Sequence, residues 1–389
     1  MKIAFVTHDV GIYGAPRSLR TLLSEINKQH DIHIIIPNSF SNKPNIDDVS
    51  KWFDVDRKKI HRYFLPFSFC YVGKPHFSLK YSFFLWIKKI KWFLLDRIIL
   101  YIYFMQESFD IIHLNSIILH EILCRKFNMI LHVREVFDGS SIFLFKNIVK
   151  AKGVIFIDLT TYKQFKDIKL NDYIVLLNPF DMTGLNKFLN ANYLLEFPKS
   201  IDWENKIIFT IIGRLEEVKG ILFVLNVFKD YKNTNALLLI VGAANDKEYF
   251  LKCQEVISTD PRIIYYGEEK EIEKIYYISD YLLRGESFAC IGRTTYEALY
   301  SGLHIIVPGD KVQDEEIFFD YNLFSEKIHF YIPRNYQALM QSLNICNKKV
   351  KNKKYISNAE QYAKSYINFI SKKNYPKRPR FLRSVSVIP

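Results

Sequence analysis

Cysteine is sparse and unpatterned. Cys70, Cys124, Cys253, Cys290 and Cys346 are an odd number with no CxxC spacing. That excludes a disulfide framework and a thiolate zinc site, and it reads as reduced thiols in a cytosolic protein. No cluster of His, Cys and Asp has metal-ligand spacing, so no metal is expected. Residues 1–6 are too short an apolar run for the core of a signal peptide and read as a first strand. No uninterrupted apolar stretch reaches transmembrane length; the nearest, residues 92–105, is broken by Asp96 and Arg97. No repeat of solenoid period is present. The first loop lacks GxGxxG, and the second apolar run ends Ile36-Pro37-Asn38 without the acid that would hold a dinucleotide ribose. An NAD-dependent enzyme is therefore not expected.

What is present is a large apolar inventory. The 389 residues are 49% hydrophobic and 24% charged, enough for two domains of ordinary size. The net charge of +13 calls for an anionic partner: phosphorylated substrates, a membrane surface or nucleic acid. No RRM, KH or OB signature accompanies the charge, so nucleic acid is the weakest of the three.

The chain alternates strand and helix patterns. Residues 2–7 and 31–37 read as strands around an amphipathic helix, residues 17–28, with Leu19, Leu22, Leu23 and Ile26 on one face. Between them Gly14 would allow a ligand to approach the loop closely. In residues 61–106 aromatics and cations interleave. As a helix, residues 83–93 put Lys88 and Lys91 on one side and Trp86, Ile90 and Phe93 on another. That suits either the surface of an anionic membrane or a core helix with a solvated basic face. Strands at 109–115 and 129–135 carry His113 and His132 near their carboxyl ends. A lone strand histidine is more often a core residue; the repeated placement favours His132 over His113. Arg134 and Glu135 extend the same strand end.

The second half repeats the pattern. A strand at 206–212 runs into Gly213-Arg214-Leu215-Glu216-Glu217-Val218-Lys219-Gly220, where two cations can clamp a diphosphate, Arg214 as a fork and Lys219 as a point charge. Further strands end at Gly242, Gly267 and Leu283. The most informative stretch is residues 283–309: a strand end, a loop with Glu286, a helix at 294–300 and a strand at 304–307. In an open parallel sheet, ligands sit at the carboxyl ends of strands, and a helix start supplies N–H groups for anions.

These residues carry a resemblance. Gly285-Glu286-Ser287-Phe288, Gly292-Arg293, Glu297-Ala298-Leu299, Gly302 and Val307, with the Gly213–Gly220 segment and the Asn178-Pro179-Phe180-Asp181 turn, resemble the signature of retaining GT-B glycosyltransferases, nearest to family 4. The family's two glutamates stand eight positions apart. Counting back from Glu297 places Ala289 at the first acid; matching Glu-Ser-Phe places Glu286 there with three extra residues, and this second alignment is preferred.

The resemblance implies an α/β GT-B fold: two Rossmann-like domains facing across a cleft, with a C-terminal helix returning to the first. The expected divisions are residues 1–183 (acceptor side), 184–204 (connection), 205–350 (nucleotide sugar), 351–370 (return helix) and 371–389 (basic tail). It implies sugar transfer from a nucleotide-diphosphate donor with retention, and neither cofactor nor metal. His132 and Glu286 would be catalytic. Gly14, Arg214, Lys219, Gly267, Gly292, Arg293 and Glu297 would bind the donor, and His113, Arg134 and Glu135 would line the acceptor side. The acceptor would be a saccharide or a polyprenyl-linked saccharide, in surface polysaccharide assembly (capsule, O-antigen or similar). The protein would be cytoplasmic, peripheral on the inner membrane through residues 83–93 and the tail. Two alternatives stay open: a non-catalytic GT-B protein that binds a sugar nucleotide or a partner, favoured by the altered glutamate spacing, and a nucleotide-sugar 2-epimerase.

Overall fold

The computed structural model describes residues 1–11, 14–38, 44–66, 86–135, 142–189, 203, 205–288, 292–309, 321–350, 353–372 and 380–381. It divides into two compact units. One comprises Met1–Pro179 and Asn358–Pro389, the other Phe180–Ser357.

In the first unit β1 (Lys2–Val6), β2 (Asp31–Pro37), β3 (Ile60–Tyr63), β4 (Ile111–Leu114), β5 (Met129–Val133), β6 (Gly153–Phe156) and β7 (Tyr173–Val175) lie in the order β3-β2-β1-β4-β5-β6-β7. Every pairing is parallel. Parallel strands are covered on both faces, which is why they read as unbroken apolar runs such as IIHL and MILHV. The helix Ala15–Ile26 packs Leu19, Leu22, Leu23 and Ile26 into the core. Asn45 caps the helix Ile46–Phe53 and Asp54 ends it in the left-handed region. That helix and β3 have no counterpart in the sequence reading, which enters this region only at residue 61. β3 is a four-residue edge strand with one buried side chain, so it carries no alternation to detect.

The helix Ala359–Ile370 belongs to the first unit. Tyr362, Ala363, Tyr366, Phe369 and Ile370 join the core built on β1 and β2. The Tyr366 hydroxyl stands 3.0 Å from His113 Nδ1. Gly153 makes room for Phe369: a Cβ there would lie 2.8 Å from the ring.

The second unit repeats the topology. β8 (Ile207–Ile212), β9 (Ala236–Val241), β10 (Ile263–Gly267), β11 (Tyr281–Leu283), β12 (His304–Pro308) and β13 (Ile328–Tyr331) are ordered β10-β9-β8-β11-β12-β13. The two-residue strand β14 (Arg380–Phe381) adds to the first sheet beside β7. In both sheets the strand order reverses beside the first strand, between β1 and β4 and between β8 and β11. Doubly wound sheets bind ligands at that point.

A long helical segment of the first unit runs from residue 86 to Glu107, with a wide i→i+5 turn at Trp92–Asp96. Trp92, Asp96, Leu100, Tyr103 and Phe104 face inward, and Lys91 pairs with Asp96 at 3.1 Å. The outward face is apolar: Ile87, Ile90, Leu94, Ile98, Ile102 and Met105 are all exposed. Among the described residues no helix is long and apolar enough to cross a membrane.

Candidate active site

At the β8/β11 reversal two loops meet backbone to backbone. Gly220 has φ +62°, and a Cβ on it would stand 1.7 Å from the carbonyl oxygen of Gly285. A Cβ on Gly285 would stand 2.4 Å from the carbonyl oxygen of Gly220. Only paired glycines permit this approach, which brings Lys219 to the loop after β11. Lys219 Nζ lies 3.6 Å from Glu286 Oε1.

Arg284 dominates that loop. Its Nε donates to Glu286 Oε2 at 3.1 Å, its Nη2 to Glu286 Oε1, and its Nη1 to Thr294 Oγ1 at 2.9 Å. Tyr331 donates its hydroxyl to the Arg284 carbonyl. Glu286 is 1% exposed. Burying a carboxylate is tolerable only with such a partner, and Lys219 leaves the cluster one positive charge in surplus. Gly292 starts the helix Arg293–Tyr300 where a Cβ would press on Arg284 Nη1 at 3.0 Å. Inside that helix Glu297 is equally buried. It accepts from Arg293 Nε at 2.7 Å and from the Tyr276 hydroxyl at 2.8 Å. The Arg293 guanidinium also covers the Phe180 ring at 4.9 Å. Arg214, mostly exposed, pairs with Glu216 at 3.2 Å.

The reversal in the first unit holds a second polar cluster. Arg134 leaves the end of β5. Its Nε donates to Asn115 Oδ1 at 3.1 Å, its Nη1 donates to Asn178 Oδ1, and its Nη2 lies 3.1 Å from His132 Nδ1. Glu135 accepts from Ser116 Oγ at 2.7 Å and from the Ile117 N–H at 3.2 Å. His113 and His132 are fully buried, edge to face at 5.3 Å. Burial holds both imidazoles well below their ordinary pKa, so both are neutral. Their Nε2 atoms, and Nδ1 of His8 at the end of β1, have no partner among the described residues.

Residues 195–362 match the family described as glycosyl transferases group 1. No curated protein matches the chain. Among solved structures, Anabaena Alr3699/HepE in complex with UDP and glucose is similar at 14% identity and TM-score 0.62, over 95% of this chain and 97% of that one. A glycosyltransferase from Rickettsia africae ESF-5 is similar at 15% and 0.63, over 96% and 94%. The lipopolysaccharide outer core galactosyltransferase WaaB is similar at 16% and 0.58, over 89% and 90%. The chain has the GT-B fold.

Within the matched residues the structure brings Lys219, Glu286 and Gly292 together around Arg284, with Arg293 and Glu297 on the next helix. Gly267 ends β10 with φ +88° and open space where a Cβ would be, away from that cluster in strand order. Ala289 lies outside the described residues. Gly14 caps the helix Ala15–Ile26 with φ +55°, and a Cβ on it would meet nothing within 4 Å. His132 sits inside the sheet, and Arg134 is the side chain that emerges beyond it. Sequence reasoning passed over Arg284; its only signal is an arginine following the apolar Tyr281-Leu282-Leu283 with a glutamate two residues on. It also passed over the acidic pair Asp54 and Asp56, which has the D-x-D spacing of a metal motif. Asp54 is the left-handed end of a helix and Asp56 caps the turn Arg57–Lys59 by accepting from Lys58 N–H, both away from either reversal point. Among the described residues no group of three acids, histidines or cysteines could hold a metal ion.

Proposed function

We propose that the chain is a retaining, metal-independent glycosyltransferase. It moves a sugar from a nucleotide diphosphate to a saccharide or polyprenyl-linked saccharide in the assembly of a surface polysaccharide. The observation that carries this reading is the cationic cluster at the β8/β11 reversal, where the Gly220–Gly285 contact sets Lys219 beside Arg284 and Glu286. Fixed cations aimed at a leaving diphosphate stabilise charge as it develops, which is the electrostatic task of this reaction. Lys219 and Arg214 take the diphosphate. Glu297 accepts from the ribose hydroxyls once Tyr276 or Arg293 yields an oxygen. The Arg284–Glu286 pair orients the donor sugar. His132, in the first unit, acts as a positioning group through Arg134. The group 1 match and the similarity to a protein solved with UDP and glucose support a nucleotide-sugar donor.

The acceptor is taken from the cytoplasmic face of a membrane, on which the protein is peripheral. The exposed apolar face of residues 87–105, with Lys88, Lys89, Lys91 and Arg97 along the same segment, supports that location.

One observation favours a second reading, a sugar-nucleotide-binding protein without transfer. Both oxygens of Glu286 and both of Glu297 already have protein partners. The experiment is nucleotide release from UDP-, GDP- and dTDP-sugars with envelope lipid extract as acceptor, for wild type, Lys219→Ala and Glu297→Ala. Release that needs one donor and the extract, and collapses in both variants, supports transfer; proton NMR of the product's anomeric centre then reads retention. Saturable binding of a donor with no release sinks transfer and leaves the binding reading.

A further inference from the structure

Lys91 and Asp96 stand five positions apart in the helical segment from residue 86 to Glu107, yet they touch. Lys91 Nζ lies 3.1 Å from Asp96 Oδ1 and 3.3 Å from Oδ2. An unbroken α-helix turns about 100° per residue, which sets side chains five apart on faces about 140° from each other. The pair therefore depends on the wide turn at Trp92–Asp96, closed by the Arg97 N–H donating to the Trp92 carbonyl. Phe64, just past β3, steers Lys91 the same way: Nζ sits 3.9 Å from its ring centroid.

The same turn decides which side chains face out. Leu100 and Phe104 are buried and fix the inward side of the second half. Carried back from Leu100 at α pitch, Phe93 falls within about 20° of that inward side and Lys91 about 180° from it, in line with Ile98 and Ile102. The structure shows another register. Trp92 is 3% exposed, Phe93 is 39% exposed, and Lys91 is turned to Asp96. The extra residue in the wide turn keeps a lysine out of the middle of the aliphatic face.

The charges along that face have one sign. Between residues 86 and 107 the only acids are Asp96, which is buried, and Glu107, which pairs with Lys2 at 2.6 Å; the cations are Lys88, Lys89, Lys91 and Arg97. An aliphatic strip edged by cations, with its acids already paired, is complementary to anionic headgroups over acyl chains.

We infer that the Lys91–Asp96 pair is a register lock. It holds the wide turn, and the turn presents one continuous aliphatic strip, clear of Lys91, to an anionic lipid bilayer. The lock rests on the proposed membrane location, and the experiment separates the two.

The full chain is compared with Asp96→Leu and with Asp96→Leu/Lys91→Leu. Acrylamide quenching reads Trp92, isolated by difference from Trp92→Phe in each background, and partition onto phosphatidylglycerol vesicles reads attachment. Trp92 should be shielded in wild type. Asp96→Leu should relax the turn, make Trp92 quenchable and bind vesicles about 10-fold more weakly, although it adds net positive charge. Replacing Lys91 as well should restore binding, because a leucine then fills the strip, although positive charge is lost. Attraction by net charge alone gives the opposite sign at both steps. A folded Asp96→Leu with Trp92 still shielded, or with unchanged or tighter vesicle binding, overturns the lock. So does a double variant that binds no better than Asp96→Leu. Should Asp96→Leu fail to fold, Asp96→Asn keeps the shape without the counter-charge and is read by the same criteria. Wild type that ignores the vesicles sinks the membrane location, and the quenching then decides the lock by itself.

Discussion

Glu286 and Arg284 bury their charges together, and neither can be removed alone without leaving the other exposed to a low-dielectric surround. Arg284→Met is expected to cost about 3–5 kcal/mol, because it strands a carboxylate whose next cation is 3.6 Å away. The Arg284→Met/Glu286→Leu double variant should cost clearly less than the two singles summed. Urea unfolding of the four proteins checks this; additive losses would mean that the pair is not coupled. Gly220→Ala tests the loop contact. Its Cβ would sit 1.7 Å from a carbonyl oxygen at φ +62°, so the loops must separate. Donor affinity should fall far more than a strain of about 1 kcal/mol accounts for; calorimetry with the donor reads it, and unchanged affinity would remove the loops from the site. Legibility at this scale followed contiguity. Arg214, Lys219 and the glycines around them stand in one short segment whose chemistry is local. Arg284 gains its role from Thr294 and Tyr331, 10 and 47 positions away, and no spacing rule connects them.

Among elements, the segment from residue 86 to Glu107 is helical and runs well past the stretch that the sequence marks. The interleaved lysines and aromatics of residues 83–93 drew attention to its start, but residues 83–85 lie outside the described structure. The outward apolar face continues through Leu94, 70% exposed, and Ile98, 51% exposed, to Met105, where the sequence offers no lysine to mark it. The i→i+5 turn at Trp92–Asp96 also shifts the faces, so a uniform helical wheel misplaces the second half. Attachment through such a face is driven by apolar burial. Wild type should co-float with anionic phosphatidylglycerol vesicles and remain bound when salt is raised to about 0.5 M, where exposed charges are screened. Leu94→Glu/Ile98→Glu should abolish flotation without changing the circular dichroism. Release of wild type by salt alone, with the double variant still floating, would assign the attachment to the lysines instead.

For the whole molecule, acid sensitivity is written into both units. Burial lowers His120 in the first unit and His304 in the second to a pKa of about 4, against 6.5 when unfolded. Between those values the unfolded chain binds protons that the folded chain refuses. Stability is therefore full above pH 6.5 and is lost as pH falls toward 4. Urea midpoints from pH 7 downward should decline over that window, and His304→Gln should shallow the decline; a flat profile would show that these rings meet water. The doubled βα series made two Rossmann-like halves readable from period alone, since parallel strands must be apolar throughout. The division of the chain was less readable from its residues, because the helix Ala359–Ile370 fills a core whose other members lie more than 180 residues earlier. That arrangement bears on the order of synthesis. The second unit is an insertion within the first, so on the ribosome the residues of β1 to β7 emerge well before the aromatic wedge of Tyr362, Tyr366 and Phe369 that completes their core. Folding of the first half must wait for the last part of the message. The second half can mature while it waits, so a transcript cut short after Ser357 yields one finished domain tethered to one that sticks to chaperones.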